Sequence, residues 1–95
     1  MRYLNFKKQF VDDILSGRKT DTIRRNNKRL PKVGEAVIFC VGVSRPFARA
    51  RITSVKPINF KTLSEARQKI ILAIYPNQVD LAMIEFELEK GPLHQ

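Results

Sequence analysis

The 95 residues, 43% of them apolar, suffice for one buried core and are too few for two, so a single domain spanning 1–95 is expected. No stretch approaches the ~20 apolar residues of a membrane span and no charged-then-apolar leader opens the chain, so a cytoplasmic, soluble protein without a membrane partner is expected. Residues 1–61 carry fifteen Lys or Arg against four acids (+11) and residues 62–95 carry three against five (−2), giving a net +9 that favours nucleic acid or a nucleotide as partner.

In chain order, Arg2 to Phe6 predicts a short strand. Phe10, Val11, Ile14 and Leu15 then recur at helical spacing opposite Asp12 and Asp13, and Gly17 stops the helix because glycine takes the left-handed conformation at low cost. The octet that follows the helix, Gly17-Arg18-Lys19-Thr20-Asp21-Thr22-Ile23-Arg24, concentrates cations and hydroxyls where helix gives way to strand, a placement that can aim side chains into a cleft. Asn26 to Pro31 reads as a polar loop. Glu35 to Val43 is a nearly unbroken apolar run, expected to be the central strand with both faces covered, and Cys40 within it is expected to be a buried thiol. Phe47 to Val55 alternates, with Ala48, Ala50 and Ile52 on one face and Arg49, Arg51 and Thr53 on the other.

Thr62-Leu63-Ser64-Glu65 has the form of a capping box, and Leu63, Ala66, Ile70, Ala73 and Ile74 make a stripe running to Tyr75-Pro76. From Val79, Ala82, Ile84, Phe86 and Leu88 alternate against Met83, Glu85, Glu87 and Glu89, a half-buried strand. One cysteine allows no internal disulfide, and His94 stands alone without a thiol cluster, so no metal and no cofactor are expected. About five or six short strands with two helices predict an α+β fold, a closed or nearly closed barrel, because closure removes exposed edges. A monomer is expected.

Gly17-x-Lys19-x-x-Thr22-x-Arg24 resembles the signature of the ASCH domain family, whose members are similar to PUA-like RNA-binding barrels. The family's usual form has glutamate where Thr22 stands. That substitution, with the run Phe10 to Arg24, Gly34, Ile74-Tyr75-Pro76 and Ile84-Glu85-Phe86, is similar to the YqfB-type branch of N4-acetylcytidine amidohydrolases. The resemblance implies a threonine nucleophile, Thr22, a lysine that activates it, Lys19, and a glutamate that completes the site. Lys56 to Thr62 holds no acid, and Glu65 is the nearest candidate. Arg18, Arg24 and Arg25 are the expected substrate-binding residues, for a modified cytidine nucleoside or nucleotide. A non-catalytic PUA-like module that binds RNA is the competing reading, and a ribonuclease the third.

For this chemistry Lys19 must be a neutral amine, and Arg18 and Arg24 beside it, together with partial burial, are expected to disfavour the ammonium form. A regular strand would place Lys19 and Thr22 on opposite faces. Lys19 is therefore expected in the turn after Gly17, with the strand starting at Thr20 or Asp21, Ile23 pointing into the barrel, and Thr22 and Arg24 facing a cleft under a helix.

Overall fold

The computed structural model describes residues 2–42, 45–75 and 80–89. Strands β1 (Arg2–Phe6), β2 (Asp21–Arg25), β3 (Ala36–Val41), β4 (Arg45–Ile58) and β5 (Leu81–Leu88) form one sheet, with helices α1 (Val11–Leu15) and α2 (Glu65–Ile74). The expected α+β class with two helices and five strands holds. The sheet order is β1-β3-β4-β5-β2, parallel between β1 and β3 and antiparallel elsewhere. β1 and β2 are its two edges and share no ladder, so the sheet is a curled half-barrel with a seam, where a closed or nearly closed barrel was expected.

Alternation sets what the curl encloses. Leu4 and Phe6 of β1, Val37 and Phe39 of β3, Ala48, Ala50 and Ile52 of β4, and Ile84 and Phe86 of β5 form the core with Ile14 of α1. Phe39 lies at its centre, its ring centroid 4.7 Å from those of both Phe6 and Phe86. Four consecutive residues of β3, Val37 to Cys40, are buried, as the unbroken apolar run predicts, although β4 is the middle strand. β4 takes that place because it is long enough to pair with β3 through its first half and with β5 through its second, shifting register between Ile52 and Ser54.

Both helices differ from their predicted stripes. Phe10 belongs to a 3-10 turn, Lys8–Phe10, and the five-residue α1 that follows buries Ile14 and leaves Leu15 largely exposed. Thr62 does not cap α2. It sits in a second 3-10 turn, Phe60–Thr62, where its hydroxyl donates to the Asn59 carbonyl at 2.7 Å, and Ser64 Oγ accepts the Arg67 N–H at 3.3 Å as the N-cap instead. The buried residue of α2 is Ile71, which the predicted stripe omits, while Ile70 and Ile74 stand 45% and 44% exposed. The expectations for Val43, Pro76, Val79 and His94 lie outside the described residues. Among those described, no helix is long and apolar enough to cross a membrane, and no three His, Cys, Asp or Glu side chains are grouped to hold a metal ion.

Candidate active site

The site begins at the turn after α1. Gly17 adopts φ +83°, and its N–H bonds the Ile14 carbonyl at 3.1 Å. Left-handed geometry there reverses the chain, so the Lys19 N–H reaches back to the Asp13 carbonyl at 2.9 Å. Lys19 therefore sits at the turn and β2 starts at Asp21, as expected. The Thr20 carbonyl accepts the Phe86 N–H at 3.0 Å, which fixes the start of β2 against β5.

Register then decides which way the octet faces. Thr22 lies opposite Ile84 and Arg24 opposite Ala82, both buried, so Thr22 and Arg24 point inside the curl. Ile23, opposite Met83, lies on the other face and is not in the core, which corrects the expectation that it points into the barrel. Thr22, 6% exposed, is the buried polar side chain among the described residues. Its Oγ1 accepts a hydrogen bond from Arg24 Nε at 3.2 Å.

Arg24 also spans the seam. Its Nη2 donates to the Asn5 carbonyl of β1 at 2.6 Å, and its guanidinium carbon lies 4.7 Å from the centroid of the Phe6 ring. One side chain thus joins the two unpaired edges, orients the Thr22 hydroxyl and covers the aromatic core. Burial lowers its pKa from the ordinary arginine value, partly offset by Tyr75.

Lys19 is half-buried, its Nζ 5.1 Å from the centroid of the Phe10 ring. Its pKa falls below the ordinary lysine value chiefly because burial disfavours the ammonium. Asp21 opposes that shift, Arg67 and Arg24 add to it, and Asp13 opposes it again. The expected contribution of Arg18 is thereby corrected. Arg18 Nε is tied to Asp13 Oδ1 at 3.0 Å, and Arg67 of α2 is the second cation that acts on the amine.

These groups line one cavity of about 470 Å³ between the seam and α2. Asn5 to Lys7, Phe10 and residues 18–24 line it, together with the apolar Ile70, Ile71 and Ile74 and Tyr75 from α2 and its C-cap. Of the six residues expected in the site, Arg18, Lys19, Thr22 and Arg24 line it. Arg25 does not; it is exposed on the other face of β2, with its guanidinium 5.6 Å from the Tyr75 ring centroid. Glu65 does not either, being exposed at the first turn of α2. The carboxylates in the cavity are Asp13 and Asp21. Sequence reasoning missed Asp21 and its partner Arg67, whose Nη2 lies 3.0 Å and 3.2 Å from the two Asp21 carboxylate oxygens. A lone acid inside a basic octet was the available signal.

The ASCH domain model matches residues 2–69 of this sequence. The chain belongs to the ASCH domain family. This ASCH chain is 33% identical to a protein of Pasteurella multocida named N(4)-acetylcytidine amidohydrolase, over 90% of its own length and 93% of the relative's. It is 35% identical, with the same coverage, to a protein of that name from Vibrio atlanticus. The ASCH domain crystal structure from Lactobacillus crispatus superposes with TM-score 0.66 at 14% identity, covering 92% of this chain and 79% of that one, and supports the fold.

Proposed function

We propose that this ASCH chain, as one domain, is an amidohydrolase that removes the acetyl group from N4-acetylcytidine or a related N4-acylcytosine. The observation that carries the reading is a half-buried lysine with a lowered pKa lining the same cleft as a buried threonine hydroxyl. Relatives named for this activity, matched over nine-tenths of the chain, supply the substrate class.

In the mechanism, the neutral amine of Lys19 accepts the Thr22 proton as Oγ1 attacks the acetyl carbonyl carbon. The tetrahedral oxyanion collapses, the C–N bond breaks, and Lys19 returns the proton to the departing exocyclic amine of cytosine. Water, deprotonated by the same lysine, then attacks the acetyl-threonine ester carbonyl, and as the C–O bond breaks Lys19 returns that proton to Thr22 Oγ1, so the product leaves as acetic acid, which ionises to acetate. Arg24 supplies two things. Its Nε bond to Oγ1 leaves the hydroxyl proton free for Lys19, and Nη1 is a donor available to the oxyanion. Asp21 is the cleft carboxylate beside Lys19, in place of Glu65, which stands outside.

Incubation with N4-acetylcytidine, followed by absorbance as cytidine forms, tests the reading, with Thr22→Val and Lys19→Met alongside. Turnover no higher in the unmodified protein than in both variants would overturn it. The excess of +11 in residues 1–61 favours a second reading, binding to RNA through the basic surface. Affinity for single-stranded RNA would then fall steeply with salt, by about 0.7 log units per phosphate contact for each tenfold rise.

A further inference from the structure

The cleft carries more cations than a neutral nucleoside uses. Lys7, Arg18, Lys19, Arg24 and Arg67 line it, against only two carboxylates. Arg24 is committed to Thr22 and the Asn5 carbonyl, and Lys19 to the chemistry proposed above. The two remaining arginines share one arrangement. Each is oriented by an aspartate through a single nitrogen: Arg18 by its Nε at 3.0 Å from Asp13, and Arg67 by its Nη2 at 3.0 Å from Asp21. A guanidinium has five N–H donors, so both Nη groups of Arg18, and Nε and Nη1 of Arg67, keep donors for an incoming acceptor. Their side chains are 65% and 41% accessible. An arginine braced by a carboxylate loses less freedom on binding, and its fork matches the oxygens of a phosphate.

Resting on the reading of this cleft as an amidohydrolase site, we propose that its preferred substrate is the nucleoside monophosphate, with Arg67 and Arg18 holding the phosphomonoester. Lys7, exposed and also lining the cleft, adds a further positive charge to it. The base and its acyl group occupy the space between Thr22 and the isoleucines of α2. The phosphate, which must stay hydrated in part, takes the accessible end.

The test compares N4-acetylcytidine with its 5′-monophosphate in kcat/KM, and cytidine with its 5′-monophosphate in calorimetric binding. The monophosphate is expected to be favoured about tenfold in each pair, the effect of one charged hydrogen bond or more, and the advantage is expected to shrink as salt rises. Arg67→Gln and Arg18→Gln each lower the nucleotide-to-nucleoside ratio, whereas Arg67→Lys restores part of it. Equal binding and turnover within each pair, or a ratio untouched by both Gln variants, overturns the proposal. So does an acetylated oligoribonucleotide cleaved better than the monophosphate. If Arg67→Gln does not fold, the ligand pairs and their salt dependence in the unmodified protein decide it. If neither acetylated compound is cleaved while the monophosphate still binds more tightly than cytidine, the hydrolase reading fails and the phosphate subsite stands.

Discussion

Two strands of this sheet carry arginines, with opposite results. On β4, Arg49 and Arg51 alternate with the buried Ala48, Ala50 and Ile52, so the arginines lie on the face away from the core. Arg51 uses that position to tie neighbouring segments, donating to the Gly34 carbonyl at 2.7 Å and pairing with Glu89 at 3.3 Å. On β2, Arg24 shares its face with Thr22 and points inside the curl, over Phe6 and across to Asn5. Composition treats the two strands alike. Between Arg51 and Arg24 the difference is burial, which turns a cation from a solvated surface group into one that sets the charge and geometry of its neighbours.

The largest consequence falls on Thr22. Thr22→Val keeps the shape and removes the hydroxyl, and turnover of N4-acetylcytidine is expected to fall by about 10³-fold or more, with circular dichroism and Tm close to those of the unmodified protein. Loss of less than about tenfold would place the nucleophile elsewhere.

Lys19→Met comes next, with an expected fall of about 10²- to 10⁴-fold. The pH dependence carries the sign. The proposed mechanism requires the amine, and burial lowers its pKa, so kcat is expected to rise with pH and level off below the ordinary lysine value. Asp21→Asn removes the charge that favours the ammonium, and the acidic limb moves to lower pH. Stability follows from the same shift. Between the folded and unfolded pKa values of Lys19 the unfolded chain binds more protons, so Lys19's contribution becomes more favourable as pH rises through that window. Below the folded value the burial penalty is fully present. Lys19→Met is therefore expected to unfold at higher urea than the unmodified protein at neutral pH.

Much of this site is readable from the chain, and the unread part has one physical cause. Gly17 announces the turn, because its conformation is local, and Lys19 with Thr22 follows from the motif. Period two also says that Thr22 and Arg24 share a face opposite Ile23. It does not say which face is inside, since that depends on pairing with Ile84 and Ala82, some sixty residues on. Arg67 escaped for the same reason: it reaches Asp21 across 46 residues, from a helix whose orientation only packing sets. Thr62 was misread as a cap because its hydroxyl had a competing local acceptor, the Asn59 carbonyl. Edge strands likewise look no different in sequence from paired ones, so the expected closed or nearly closed barrel did not include the seam between β1 and β2.

The seam itself can be broken at Arg24. Arg24→Ala removes a charged hydrogen bond to the Asn5 carbonyl and the cover over Phe6, and is expected to cost about 2 kcal/mol in urea unfolding as well as activity. Arg24→Lys separates the two roles. The ammonium keeps a charge over Phe6 and lacks the fork that serves Thr22 and Asn5 together, so it is expected to recover stability before it recovers turnover.

The smallest effect is expected on β4, where Arg51→Ala sharpens the contrast. Arg51 makes as many polar contacts as Arg24, but its side chain is 53% exposed and its partner Glu89 is 31% exposed. Water replaces the guanidinium as donor to both acceptors, so the change in unfolding free energy is expected to stay at ~0.5 kcal/mol, in the range of ~0.2–1 kcal/mol for exposed pairs. Turnover of N4-acetylcytidine is expected to be unchanged, since Arg51 lies on the face away from the cleft. A loss of activity at Arg51 as large as at Arg24 would mean that net charge, and not the inward face of β2, governs the site.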